Sequence, residues 1–426
     1  MKNDQKRLKW LIAAGIFMRI LYMLYTPVDV RSHDLWKFQM DSYGHAAYIL
    51  NLLDGHLPQS NTVQFYQQPF YYLLSAGLAR FVRIFLPVLN EYWCVSLSKI
   101  VSCMASCGTL ILAVKTGKLL KLENCGLEIL VLYVAFTPAF YLAGGSCGPD
   151  ALAAFFITAE FLWTLYWKEK PDWKNTIILA FFYGFGIMTK ISCAVIAFYT
   201  AFIFLEKLWN NRAEQKWVSL LKKYICFGMI SFPLGLWYSI RNYIRFHQTF
   251  GYVPDIGREA KLYTGDHSLY ARFLYLDINN LLKSPYASAW NDYNMPVYLL
   301  KSSLFGEFSF ESPQWIPALL TYTASGIAIF LVLAIIWNVK NQITGYGKDL
   351  LIISALFFGS FLFFNIKYPY GCSMDFRYIV FLTIPAGIFM GHYEEQLYKK
   401  RRCYAAVKIL FWSYAALSIL MYFAAA

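Results

Sequence analysis

Eleven apolar runs, each close to the length a helix needs to cross a bilayer, set what this chain can fold into. A crossing helix needs about 20 predominantly apolar residues, because hydrocarbon offers no water to an open backbone. Such runs fall at residues 9–27, 95–115, 127–146, 150–167, 174–189, 191–208, 224–241, 315–337, 349–366, 378–391 and 405–423. The expected fold is therefore all-α and integral to the membrane, a single polytopic domain over 1–426 with about eleven transmembrane helices. Composition agrees, since 58% of the 426 residues are hydrophobic and only 15% charged, outside the range of ordinary soluble domains. Residues 8–25 show no small-residue cleavage site and lead straight into a polar loop, as a first span would.

A net charge of +13 would suit a polyanion partner if it were clustered, but its placement speaks for topology. With the N-terminus in the cytoplasm, 22 of the 38 Lys and Arg residues fall in short inner connections such as 115–121, 168–174, 207–223 and 399–408, which is the inward bias of basic residues. The long loop 242–314 holds six basic residues against seven acids, so nucleic acid is not an expected partner. This arrangement predicts a multi-pass plasma-membrane protein. The segment Pro69–Val88, bracketed by prolines and edged by Arg80 and Arg83, is expected to lie in the outer interface without crossing. The unusual polar stretches then share the extracytoplasmic face: 28–94, the GGSCGPD turn at 144–150, the turn at Thr189 and Lys190, 242–314, and KYPYGCSMDFR at 367–377.

Chemistry-bearing residues concentrate in the first of these loops, with Asp29, Asp34, Asp41 and Asp54 beside His33, His45 and His56. A carboxylate held partly desolvated there can accept the proton of an attacking hydroxyl or amine, and Asp41 and Asp34 are the candidates. Asp150 follows Pro149 at the head of a helix, where an acid is also a natural cap. Lys190, in GIMTKISCAV, has no acid near it in sequence and is suited either to a phosphate or to snorkelling. Arg377, in DFRYIVFLTIPAG, is a second phosphate candidate unless Asp375 takes it. His45 stands one helical turn after Asp41 and fits substrate contact or packing. Arg19 and Glu160, each near the middle of its own run, are expected to pair, since an isolated charge at that depth is costly.

These motifs, in this order, resemble those of the GT-C glycosyltransferases, membrane enzymes that use polyprenyl-phosphate sugar donors. The branch most similar is that of dolichyl-phosphate-mannose protein mannosyltransferases and aminoarabinose transferases. There an acid opens the first outer loop and a His-Pro-Pro-aromatic step closes it. Here Asp41 to His45 are followed by Tyr66, Gln67, Gln68, Pro69, Phe70, Tyr71 and Tyr72, with Gln67 and Gln68 in place of His-Pro and Ser42 in place of a second acid. Either Asp41 or Asp34 can then be the base.

The resemblance implies a cell-envelope glycosyltransferase. It would move one sugar, with inversion, from a polyprenyl-phosphate donor to a glycan, lipid or protein acceptor at the extracytoplasmic face. Loops 28–94 and 242–314 would build the site, His45, Asp150, Lys190 and Arg377 would contact substrate, and 302–308 would form a re-entrant element. No cofactor is certain. A divalent cation on His33, Asp34, Asp41 and His45 is conceivable on ligand chemistry, and none is assigned. The alternative is a transporter or flippase of lipid-linked sugar, which would be expected to show an inverted repeat; none is visible.

Overall fold

The computed structural model describes residues 2–33, 35, 44–211, 217–341, 346–401 and 403–423. Among them the chain is helical, with one isolated antiparallel bridge between Tyr263 and Tyr370 and no strand. The α-helices of the first half are α1 (Lys2–Tyr25), α2 (His45–Leu53), α3 (Phe70–Phe85), α4 (Glu91–Ser96), α5 (Ser98–Leu119), α6 (Asn124–Phe136), α7 (Ala139–Gly145), α8 (Asp150–Glu169) and α9 (Trp173–Thr189). Those of the second half are α10 (Ile196–Asn210), α11 (Trp217–Phe246), α12 (Leu269–Phe273), α13 (Ile278–Lys283), α14 (Met295–Phe305), α15 (Trp315–Asn341), α16 (Tyr346–Lys367), α17 (Thr383–Lys399) and α18 (Tyr404–Phe423).

Six of the described stretches are long and apolar enough to span: Gln5–Tyr25, Glu91–Leu119, Ile191–Asn210, Trp315–Asn341, Gly347–Lys367 and Tyr404–Phe423. The pair α6 and α7, bent by 46°, makes a seventh if taken as one. All eleven apolar runs fall on helices, but the count of eleven spans exceeds what length and apolarity support. Helices α9 and α17 have 17 residues each, about 26 Å at 1.5 Å per residue against a core of about 30 Å. Helix α8 carries Asp150, Glu160, Lys168 and Glu169, and α11 carries Lys222, Lys223, Arg241 and Arg245. The run at 378–391 starts in short 3₁₀ turns and becomes α-helical only at Thr383. Residues 302–308, expected as a re-entrant element, are instead the end of α14 and the turn after it, where Gly306 takes a φ of 60°.

The chain divides into two compact units. One comprises Met1–Tyr25, Ala113–Leu142 and Asp255–Ala426, and in it α6 packs against α1, α17 and α18, while α15 packs against α17 and α18. The approach of α6 to α17 is backbone to backbone: a side-chain carbon at Gly126 would stand 2.9 Å from the Gly391 carbonyl oxygen. The bend after α6 follows from Pro138, which has no N–H to offer the carbonyl of Val134, four residues earlier. Arg19, fully buried, supplies the missing donor. Its guanidinium donates to Val134 O at 2.9 Å and to Ala135 O and Gly15 O at 2.8 Å each. The expected pair of Arg19 with Glu160 is therefore not formed. The arginine is committed to backbone carbonyls of its own unit, and neither carboxylate oxygen of Glu160 has a hydrogen-bond partner.

The same unit ties its long loop to the segment after α16. Thr264 N donates to Pro369 O and Gly371 N to Leu262 O, both at 2.8 Å. Glycine is required at 371, because a side-chain carbon there would collide with the backbone carbonyl of Ala289.

The other unit comprises Thr26–Leu112 and Ala143–Pro254. Helix α9 packs between α8 and α11, α10 packs on α8, and α2, α3 and α4 pack on one another. Glu160, fully buried, faces Gly186 of α9, where any side chain would meet its Oε1. The first loop is pinned to α11: Arg241 donates to Pro58 O at 2.6 Å, Gln68 Nε2 to Ser239 Oγ at 2.8 Å, and Gln248 Nε2 to Tyr66 O at 3.1 Å. These bonds fix the step at 66–72 that leads into α3.

Candidate functional site

Three of the residues singled out in the sequence, His45, Asp150 and Lys190, belong to the second of these units. Asp34 and Asp41, the two candidates for the base, lie outside the described residues, as do two of the four side chains considered as cation ligands.

The turn Gly144–Pro149 is held by side chains from its own unit. Ser102 Oγ donates to Ser146 O at 2.8 Å, Cys147 N donates to Ser32 Oγ at 3.0 Å, and Gly148 N donates to the Tyr71 hydroxyl at 3.0 Å. Satisfying these buried backbone groups one by one gives the turn a single conformation. Pro149 then precedes the first helical residue of α8, and Pro149 O accepts from Ala153 N at 2.8 Å. No side chain caps the helix. Asp150 is therefore not the cap it was suited to be.

Its carboxylate instead forms an ion pair with Lys190 Nζ. Lys190 ends α9 in an extended conformation with its N–H bonded to Gly186 O at 2.9 Å, and the 3₁₀ turn Ile191–Val195 follows. That break between two helices aims the ammonium at the head of α8. The sequence placed no acid near Lys190, and the fold brings one from 40 positions away. Both side chains keep about a fifth of their surface exposed, 21% for Lys190 and 19% for Asp150, so the pair is partly desolvated yet open to a ligand.

His45, the first residue of α2, follows Gly44, whose φ of 115° suits glycine. The histidine is buried, and its Nδ1 stands 2.6 Å from the Tyr72 hydroxyl, which also reaches Gln67 Oε1 at 3.2 Å. Its Nε2 faces Gly148, 3.7 Å from where a side-chain carbon would sit. His45 is thus a packed histidine of the turn's surroundings. Burial pushes the Tyr71 and Tyr72 hydroxyls well above the ordinary phenol range, so both remain protonated at neutral pH. The Cys147 thiol is likewise pushed up to about 12 by burial and is inert. The roles of Tyr71 and Tyr72 were missed in the sequence. Their signal was present: with Ser75, Ala76 and Ala79 they form the buried face of a 16-residue helix.

Arg377 lies in the first unit and is described there by itself. Asp375 Oδ1 accepts from the Arg377 backbone N–H at 2.8 Å, closing the turn Phe376–Tyr378. The guanidinium rests over the Tyr378 ring at 5.1 Å and donates to its hydroxyl at 3.3 Å. Nearby, Tyr298 donates to Glu307 Oε1 at 2.5 Å, and Ser302 Oγ accepts from Phe376 N at 3.0 Å. The segment 373–377 is thereby fastened to α14.

No protein-family model matches the sequence, and no curated protein matches it either. Solved structures match in fold. The crystal structure of ArnT from Cupriavidus metallidurans bound to undecaprenyl phosphate aligns with a TM-score of 0.53 at 14% identity, covering 91% of this chain and 60% of that one. The apo oligosaccharyltransferase of Archaeoglobus fulgidus aligns at 0.45 and 10% identity, over 98% and 54% of the two chains. ArnT in its apo state aligns at 0.42 and 13%, over 91% and 77%. The chain spans about three fifths of the length of the undecaprenyl phosphate-bound ArnT chain. At 14% identity the likeness is one of architecture: this is an all-helical membrane protein with the GT-C-like fold seen in ArnT.

Proposed function

We propose that this chain is a membrane glycosyltransferase that moves one sugar from a polyprenyl-phosphate donor to a hydroxyl or amine of a glycan, lipid or protein acceptor at the extracytoplasmic face. The observation that carries the reading is the Lys190–Asp150 pair at the head of α8, in a fold shared with an ArnT structure that holds undecaprenyl phosphate. In the reaction the acceptor oxygen or nitrogen attacks the anomeric carbon as the bond from that carbon to the phosphate oxygen breaks. The electron pair leaves with the polyprenyl phosphate, and the acceptor's proton passes to a carboxylate, Asp41 or Asp34. Attack opposite the leaving group inverts the centre.

Lys190 offsets the charge that grows on the departing phosphate, an effect strongest where water is partly excluded. Asp150 aims the ammonium before the donor arrives. Transfer from a polyprenyl-phosphate donor carrying a radiolabelled sugar, measured with the purified chain, tests this reading. Lys190→Ala is expected to lower kcat by about 10²–10³-fold, the usual cost of one lost transition-state donor. One of Asp41→Asn and Asp34→Asn is expected to abolish transfer. Full activity in all three variants overturns the mechanism.

A further inference from the structure

The loop between α11 and α15 exposes an unusual amount of apolar surface. Leu269, Leu274, Leu276, Ile278, Leu282 and Trp290 are 59%, 76%, 53%, 54%, 59% and 62% exposed, and Tyr270 and Tyr275 are exposed beside them. Leaving a leucine in water forfeits the stabilisation that burial would give it, and so dense a run of exposed apolar side chains marks an interaction surface. The segment is nevertheless well ordered by its own polar side chains. Ser268 and Asp277 cap α12 and α13 at 3.2 and 3.0 Å. Asn294 Nδ2 donates to Ala271 O and Tyr275 O at 2.8 and 2.6 Å, and buried Lys301 donates to Asn280 Oδ1 at 2.9 Å. The apolar residues therefore point outward by construction.

What they face follows from where the loop is fastened. Arg272, buried between Tyr270 and Leu274, donates from Nη2 to Asn365 O at 2.7 Å, in the last turn of the spanning helix α16. The bonds to Pro369 and Gly371 hold the same level. On α16 the outward side chains Phe363 and Ile366 are 67% and 53% exposed, which is the surface a span presents to lipid. At that end Trp315, the first residue of α15, is 55% exposed. Aromatic rings with a polar edge favour the headgroup level, and leucines favour the layer just beneath it.

We propose that residues 269–290 are a membrane-seated element that rests its apolar side in the lipid at the face where α15 begins and α16 ends, continuous with the lipid-facing surface of α16. Its partner is the phospholipid bilayer, entered to about 5–10 Å as interfacial segments do. This seating is independent of transfer activity, and it would hold the loop at the depth where a lipid-linked phosphate lies.

The test uses the whole 426-residue chain in phosphatidylcholine–phosphatidylglycerol nanodiscs, with p-acetylphenylalanine carrying a nitroxide at 274, 278 or 282, and at Glu259 as an exposed polar reference. Collision with oxygen, which concentrates in lipid, is compared with collision with a water-soluble nickel chelate. The expected result is an oxygen-to-nickel ratio severalfold higher at 274, 278 and 282 than at 259, with the difference at 278 lost in a variant that carries both Leu274→Asp and Leu282→Asp. Equal ratios at all positions mean that the surface faces water, and protection from both reagents means that protein covers it; either result overturns the proposal.

Discussion

Tyr72 shows how much of the candidate site rests on a single buried hydroxyl. It joins His45 on α2 to Gln67 in the step before α3, so Tyr72→Phe leaves two polar groups, one of them buried, without this partner. A buried donor or acceptor stripped of its bond costs about 1–3 kcal/mol. The expected outcome is a lower unfolding midpoint for purified Tyr72→Phe in detergent, measured by intrinsic fluorescence on heating, and an unchanged midpoint would show that water replaces the hydroxyl. Such links are only half legible in the sequence. The positions of His45, Asp150 and Lys190 were readable because each interrupts an apolar context. Their partners were not, because Lys190 finds Asp150 across 40 residues and His45 finds Tyr72 across 27, and spacing along the chain says nothing about which helices become neighbours. The pairing of Arg19 with Glu160 failed for the same reason: a buried arginine needs acceptors, and backbone carbonyls freed by a proline serve as well as a carboxylate.

Helices were the most readable elements, since an apolar run in a membrane leaves the backbone little choice. Their interruptions were less so. The run 127–146 reads as continuous, and Thr137 and Pro138 inside it mark the bend that separates α6 from α7. If Arg19 stands in for the donor that Pro138 lacks, Arg19→Met destabilises the fold by about 1–3 kcal/mol for each carbonyl left bare, and Pro138→Ala added to it restores part of the loss by returning an N–H to Val134 O. Thermal unfolding of the two variants and the double variant decides this, and a double variant no better than Arg19→Met would refute the substitution of one donor for the other. The helix pair α8 and α9 makes a second such case. Gly186→Ala drives a methyl group into Glu160 Oε1, an overpacking worth about 1–3 kcal/mol. Combined with Glu160→Ala the hardest of its contacts is gone, leaving Phe156 Cβ at 3.1 Å and Cys193 Cβ at 3.3 Å, so the two changes are expected to couple by at least about 0.5 kcal/mol, and additive costs would place the glycine's role elsewhere.

At the scale of the whole chain the open physical question is direction, because every step of the proposed transfer requires the 144–150 turn, Lys190 and the loop 255–314 to face away from the cytoplasm. The charge pattern makes a definite prediction about it. The turn between α17 and α18 collects Lys399, Lys400, Arg401 and Arg402, and within it Cys403 is exposed. Basic residues in short connections are retained on the cytoplasmic side, so a membrane-impermeant maleimide should leave Cys403 unmodified in sealed right-side-out vesicles and modify it in inverted ones. Cys403→Ser supplies the control, since the signal it removes belongs to that thiol and not to the other eight cysteines. Glu259→Cys, on the loop fastened to the far end of α16, should give the opposite pattern in a Cys403→Ser background. Of the α-helices, only α17 separates the end of α16 from Cys403, so the two reporters disagree if this 17-residue helix crosses the bilayer, as the lysines and arginines imply. Labelling of Cys403 from outside would reverse the threading that the lysines and arginines imply and remove the physical basis for transfer at the outer surface.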